Sequence, residues 1–347
     1  MKITTSAARR LAVSCLAVGC WAFGPAAAKA ESVADFYDGE TVTLVSGFSA
    51  SGENDTYFRL WGANLGSFIP GNPTVLNTNL TGAGTLIAAN YMYNQAEADG
   101  TSMGMFTVEA AIEPLLGNQA AQFDPTKFSW IGSISRDEQF CAVKAEGDGP
   151  KTFDEILKNE VLFGTSAPAS DTYRQTAILK NVLGAKIKLV SGYHGMPGVL
   201  LALERGEVNG ACGITSGALE TNLAAEYKAG KLKLVLQTSG DPTKEFGDVP
   251  SVFDYAKTDD QRELLKFFFN SMAMGRPITA PPAIPADRLE ALRTAFMKSV
   301  QDEKFLSDAK RLHVEVKPLS GEQIEQRMQE IANHSPEFFE RVKEAYK

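Results

Sequence analysis

The stretch VLFGTSAPASDTYRQTAILKNVLG, from Val161 to Gly184, repeats in outline an earlier one, VTLVSGFSASGENDTYFRLWGANLG, from Val42 to Gly66. Each opens on a short apolar, partly β-branched run, which reads as a strand. Each continues through a loop of Ser, Ala and Gly or Pro into Asp-Thr-Tyr, at Asp55-Thr56-Tyr57 and Asp171-Thr172-Tyr173. A helical segment then ends on Leu-Gly, a common helix stop. A strand running through a small polar loop into a helix leaves the first backbone N–H groups of the helix free, and anions bind well there.

The tripeptide alone is a weak match, but the sequence after it repeats as well. The first copy is followed by PTVLNTN (Pro73 to Asn79), the loop Leu80-Thr81-Gly82-Ala83-Gly84-Thr85, a helix from Leu86 to about Gln95 and the strand TSMGMFT from Thr101. The second is followed by KIKLVSGY, the loop His194-Gly195-Met196-Pro197-Gly198, a helix from Val199 to about Arg205 and the strand VNGACGI from Val208. Each half thus reads strand, loop, helix, strand, Gly-rich loop, helix, strand. Such alternation predicts an α/β fold with parallel sheets and right-handed crossovers. The chain is expected to cross between two domains near WIGSISRDEQFCAVKAE and again within SMAMGRPITAPPAIP, residues 271–285, where prolines interrupt regular structure. The expected domains are residues 31–135 plus 271–347, and residues 136–270. The C-terminal amphipathic segments, ADRLEALRTAFMKSV and IEQRMQEIANH, are expected to pack on the first domain, closing a two-crossing hinge.

The first thirty residues read as a secretory signal peptide: Lys2, Arg9 and Arg10, an apolar stretch from Leu11 to Phe23, and a small-x-small site at Ala28-Lys29-Ala30. An exported protein, periplasmic and monomeric, is expected. The whole chain carries a net charge of −8, and losing Lys2, Arg9, Arg10 and Lys29 with the leader takes it to −12. That acidity argues against nucleic acid as a partner. Cys15 and Cys20 leave with the leader. Cys141 and Cys212 remain, either as a disulfide suited to an oxidising compartment or as two buried small apolar residues. No CxxC or HxxxH spacing occurs, so neither a metal nor another cofactor is expected.

Enzyme signatures are missing: the chain has no GxSxG, HExxH, GxxxxGK[ST] or GxGxxG motif. His313 and His334 read as surface residues, and His194 as a loop residue beside the mouth of a site. Open α/β sheets bind ligands at the carboxyl ends of their strands. Those ends carry Phe48-Ser49-Ala50-Ser51-Gly52 with Asn54 and Asp55 behind, Thr81-Gly82-Ala83-Gly84-Thr85, Ser166 and Ser170 with Asp171 and Thr172 behind, and Tyr193-His194-Gly195. The loops hold no Arg or Lys, so the expected recognition of a carboxylate is by backbone, hydroxyls and water. Asp55 and Asp171 read as caps and dipole complements of their helices. Glu53 is awkward beside an anion site unless it faces solvent.

With these residues in view, ADFYDGETVTLVSGFSASGENDTYFRL, PGNPTVLNTNLTGAGTLIAANYMYNQAEADGTSMGMF, FSWIGSISRDEQFCAV, FGTSAPASDTYRQTAILKNVLGAKIKLVSGYHGMPGVLLALERGEVNGACG and APPAIPADRLEAL resemble the extracytoplasmic solute-binding proteins of tripartite tricarboxylate transporters, the Bug-type receptors. The resemblance implies a two-domain, type II-like Venus-flytrap periplasmic binding protein with two interdomain crossings. It would hand a small organic acid to a membrane permease of one large and one small subunit. It also implies that Phe48 to Asp55 and Thr81 to Thr85 grip a carboxylate, with Ser166 to Thr172 and Tyr193 to Gly195 closing over the far end. The chain departs from the family's Gly-Gly-x-x-Asp run, having Ser51-Gly52-Glu53-Asn54-Asp55. The same fold could serve a ligand sensor feeding a signalling kinase. A periplasmic hydrolase using His194 is a third reading.

Overall fold

The computed structural model describes residues 31–347 apart from Ser51, Asp137, 167–169, Asn222, Asp241, His313 and Lys347. The leader and the surface assignment of His313 lie outside the described residues. Residues 33–347 form one compact unit.

The first repeat builds α1 (Val33–Tyr37), β1 (Thr41–Ser46), α2 (Glu53–Leu65), β2 (Thr74–Asn79), α3 (Leu86–Asn94) and β3 (Ser102–Met105). A short α4 (Val108–Ile112) and β4 (Ser129–Ser133) follow. The chain then enters β5 (Gln139–Lys144), α5 (Phe153–Ile156), β6 (Val161–Thr165), α6 (Asp171–Leu183), β7 (Ile187–Ser191), α7 (Gly195–Arg205) and β8 (Gly210–Thr215). Next come α8 (Ser216–Glu220), α9 (Ala224–Lys228), β9 (Leu232–Gln237) and α10 (Asp259–Met272). The C-terminal part holds β10 (Pro277–Ala280), α11 (Ala286–Ser299), α12 (Glu303–Arg311), β11 (Leu319–Ser320), α13 (Gly321–Ala332) and α14 (Pro336–Ala345).

These strands form two sheets, ordered β11-β4-β10-β3-β1-β2 and β7-β6-β8-β5-β9. The duplication is visible in their cores. β1 pairs in parallel with β2 and β3, and β6 pairs in parallel with β7 and β8. In each sheet the next strand is antiparallel and arrives by a crossing: β10 against β3, and β5 against β8. The strands therefore cross twice, after β4 and after α10.

The apolar pattern explains the layering. Strands covered on both faces are apolar or small throughout, as in SWIGS of β4 and SMGM of β3, where every residue is buried. In α2, Phe58, Trp61 and Leu65 lie one helical turn apart and are fully buried. Trp61 stacks on Phe58, meets Phe296 of α11 edge-on and donates its indole N–H to Ser299 Oγ at 2.8 Å. The C-terminal helices divide their allegiance. α11 packs on β4 and α2, and α12 on α2, as expected for the first sheet. α14 instead seats on α6, with Asn181 Nδ2 donating to the Ala345 carbonyl at 3.1 Å. This corrects the expectation that all the C-terminal helices pack on the first domain. The amphipathic pattern of EFFERVKEA shows that one face must be buried but not against which layer.

Cys141 and Cys212 stand opposite each other on β5 and β8 and form a disulfide. Among the described residues no helix is long and apolar enough to cross a membrane.

Candidate functional site

The second crossing delivers a side chain that anchors the site. Gly275 adopts φ +59° and turns the chain out of α10, and Arg276 follows, only 8% exposed. The Arg276 amide donates to Ser133 Oγ at 3.0 Å. Its guanidinium donates from Nε to Asn54 Oδ1 at 2.8 Å, from Nη1 to Ser135 Oγ at 2.7 Å and from Nη2 to Glu53 Oε1 at 2.8 Å. Its Cζ lies 3.9 Å from the ring centroid of Tyr57, a cation–π contact.

Arg276 borders a cavity of about 80 Å³ between the layers of the two sheets. The first sheet's side contributes Phe48, Asn54, Phe106, Thr107, Val108 and Glu109. Gln139 and Asp171 come from the second sheet's side, and Met272 and Gly275 from the return crossing. Asn54, Val108, Glu109 and Asp171 all lie in first helical turns, of α2, α4 and α6. Three helix N-termini therefore reach one cavity, with their free N–H groups and positive dipole ends. A second, larger groove of about 680 Å³ lies on the second sheet's layer, lined by Leu200, Leu201, Leu203, Leu223 and Leu232 with Lys144, Glu204 and Lys231 among its polar neighbours. Among the residues lining the groove, only Pro197 lies in a first helical turn, that of α7. Chemistry rather than size selects the smaller cavity.

The walls are held by buried polar chains. Asp55 is fully buried, with Oδ2 accepting from Arg59 Nε at 2.6 Å and Oδ1 from Asn79 Nδ2 at 2.6 Å. Asn79 Nδ2 also donates to the Phe48 carbonyl at 2.9 Å, tying the end of β2 to the loop after β1. Thr107, the N-cap of α4, accepts from the Ala110 amide at 3.1 Å. Its own amide donates to Thr85 Oγ1 at 3.0 Å. Thr85 sits at φ 74°, a costly left-handed conformation for a β-branched residue. On the opposite wall Gln139 accepts from Gln175 Nε2, and Gln175 Oε1 accepts from Thr238 Oγ1 at 2.9 Å.

Of the residues expected from the strand ends, Phe48, Asn54 and Asp171 line the cavity. Thr85 and Asp55 act behind it as supports, and Asp55 is no cap, since α2 begins on Gly52 without a side-chain cap. At α6 the cap is Ser170, whose Oγ accepts from the Tyr173 amide at 3.4 Å, while Asp171 is exposed in the first turn. Ser166 and Thr172 bond each other, the Ser166 amide donating to Thr172 Oγ1 at 3.0 Å. Ser49, Ala50, Thr81, Ala83 and Gly84 are exposed, Gly82 is half-buried, and none of these six borders the cavity. Nor do Tyr193, His194 and Gly195; Tyr193 donates its hydroxyl to Glu207 Oε2 at 3.4 Å, and His194 is exposed at the start of α7. The reason is topological. β2 and β7 are edge strands, so the loops after them stand one strand away from the cavity, which lies beside the ends of β1 and β3. Ser51 lies outside the described residues.

The expectation of a site without arginine is corrected by Arg276. It was missed because it stands 222 residues from Asn54 in sequence. An arginine placed between Gly275 and Pro277, at an anticipated crossing, was the available signal. Glu53 does face solvent, its side chain 75% exposed while it reaches back to Arg276.

A second set of contacts joins the layers beside this site. Glu315 donates its amide to the Tyr57 hydroxyl at 3.0 Å and accepts from Ser216 Oγ, at the start of α8, at 2.8 Å. Lys317 Nζ lies 2.9 Å from Glu315 Oε1, 3.1 Å from Glu138 Oε2 and 3.5 Å from Glu245 Oε2. The Glu138 contact is an ion pair by distance, not an aligned hydrogen bond, because that oxygen has no hydrogen-bond partner of acceptable angle. Burial opposes the charge on Lys317, but its carboxylate neighbours outweigh it and hold its pKa above the usual lysine range.

Solved structures similar to this chain share one fold. A TctC solute binding protein from Polaromonas superposes with a TM-score of 0.69 at 17% identity, covering 89% of this chain and 99% of that one. The periplasmic binding protein BugD matches at 0.58 and 20% identity, over 89% and 98% of the two chains. MatC from Rhodopseudomonas palustris, solved with bound malate, matches at 0.55 and 19% identity, over 89% and 99%. No family model matches the chain, and no curated protein does. At these identities the fold is what is shared: a two-domain α/β periplasmic binding protein of the TctC and Bug type.

Proposed function

We propose that this protein is a periplasmic solute receptor that binds a small organic carboxylate in the cavity between its two sheets and performs no chemistry on it. The observation that carries this reading is the meeting of three helix N-termini and the buried Arg276 at one cavity. Together they form a positive, hydrogen-bond-donating environment suited to an anion. Phe48 and Phe106 add apolar walls for a short carbon skeleton. The bound malate of MatC is of the same chemical class.

In this reading residues 1–30 direct export and are removed. Residues 31–135 with 271–347, and residues 136–270, act as two lobes that open about the crossings near Ser135 and Gly275. Opening is required because a cavity of about 80 Å³ holds only a few waters, each taking about 30 Å³ of liquid volume. The closed form would then hand its ligand to a permease of one large and one small membrane subunit. The loops at Thr81 to Thr85 and Tyr193 to Gly195 would touch only a ligand longer than the cavity.

A thermal-shift screen of residues 31–347 against organic acids, amino acids and the corresponding amides tests this. At ligand concentrations about 100 times Kd, binding should stabilise the fold by about 2.7 kcal/mol, a rise of several degrees in melting temperature. A flat response to every acid would remove the receptor reading.

A further inference from the structure

We infer that Glu53 occupies the place on Arg276 that a ligand carboxylate takes, so that binding proceeds by exchange of one carboxylate for another. The inference rests on the receptor reading and adds the anchoring residue and the group that competes for it. The two partners differ sharply in their surroundings. Arg276 is 8% exposed and is fixed by Asn54, Ser135 and the face of Tyr57, whereas the Glu53 side chain is 75% exposed. An exposed carboxylate gains little from such a pair, because water screens it and a flexible side chain must be ordered to hold it. A buried guanidinium, by contrast, needs an acceptor and presents planar geometry matched to a carboxylate.

Glu53 is also free to leave. It is the first residue of α2, its backbone held by the helix, and a rotation about its side-chain bonds returns the carboxylate to solvent. Arg276 cannot follow, since Nε and Nη1 stay bound to Asn54 and Ser135 and its amide is bound to Ser133. The arginine itself borders the cavity, so a carboxylate entering there meets Nη2 on the side from which Glu53 withdraws. Glu53 thus keeps the arginine satisfied in the empty protein and sets a threshold that weak anions do not pass.

The test is calorimetric titration of wild type, Glu53→Gln and Arg276→Lys with acetate, malate and adipate, with adipamide as the uncharged control. The expected result is that at least one acid binds and adipamide does not. Glu53→Gln should bind that acid about 3–5-fold more tightly, the competing pair having been worth up to about 1 kcal/mol. Arg276→Lys should bind it at least about 10-fold more weakly, having lost the planar fork. Should Arg276→Lys fail to fold, the exposed position 53 decides alone. An acid that binds wild type and Glu53→Gln equally would overturn the exchange while leaving the receptor reading intact. If no acid binds either protein, both fall.

Discussion

Removing the Cys141–Cys212 bridge is expected to cost about 4 kcal/mol of stability, from the loop-closure entropy that a link across 71 residues takes out of the unfolded chain. The two half-cystines face each other on neighbouring antiparallel strands at the centre of the second sheet, both completely buried. In the native state the bridge therefore adds little order that the ladder does not already impose. Its effect falls on the denatured ensemble, where it keeps β5 and β8 together after everything between them has unfolded. The Cys141→Ala/Cys212→Ala variant should show the loss in denaturant melts, with a small further loss from the missing sulfur atoms. A thiol count on residues 31–347, unfolded without reductant, should find none reactive. Two reactive thiols, or a double variant as stable as the wild type, would contradict the bridge.

Gly275→Ala is expected to cost about 3 kcal/mol and to disturb the cavity at the same time. A Cβ built on Gly275 would stand 1.9 Å from the Ser135 carbonyl oxygen and 3.1 Å from the Arg136 Cα, both backbone atoms of the other crossing. The backbone there has φ +59°, where an L-residue carries its own penalty. The two crossings would have to separate, and Arg276, whose amide donates to Ser133 Oγ, would move with them. For a chain of this size the melting temperature should fall by roughly 6–10 °C, and the response to any carboxylate should weaken. A shift under about 2 °C with ligand response intact would show that the crossings are looser than the packing implies.

The duplicated core was legible in the sequence because each copy states its strands, loops and helices locally. Val42 to Gly66 and Val161 to Gly184 needed no long-range information, and the helix starts at Glu53 and Asp171 followed from the loops before them. Phe48, Asn54 and Asp171 were recognisable because they stand where a strand gives way to a helix. What could not be read depends on contacts between distant residues. Arg276 meets Glu53, Asn54 and Ser135 only because two crossings run side by side. Asp55 looked like a helix cap, since sequence cannot show Arg59 and Asn79 closing on both of its oxygens. The loop Tyr193-His194-Gly195 resembled a site because it is small and Gly-rich, but strand order puts β7 at the sheet edge. Local pattern reveals that a strand ends in a loop; the order of strands decides which loop faces the cavity.

The central claim is that a carboxylate binds between the two sheets, and the direct measurement is a crystal structure of residues 31–347 grown with an acid that raises the melting temperature. The account predicts ligand density between Asn54 and Thr107 on one side and Gln139 and Asp171 on the other, with a carboxylate on Arg276 and Glu53 turned to solvent. Density in the leucine-lined groove beside α7, with the cavity at Arg276 unchanged, would contradict it.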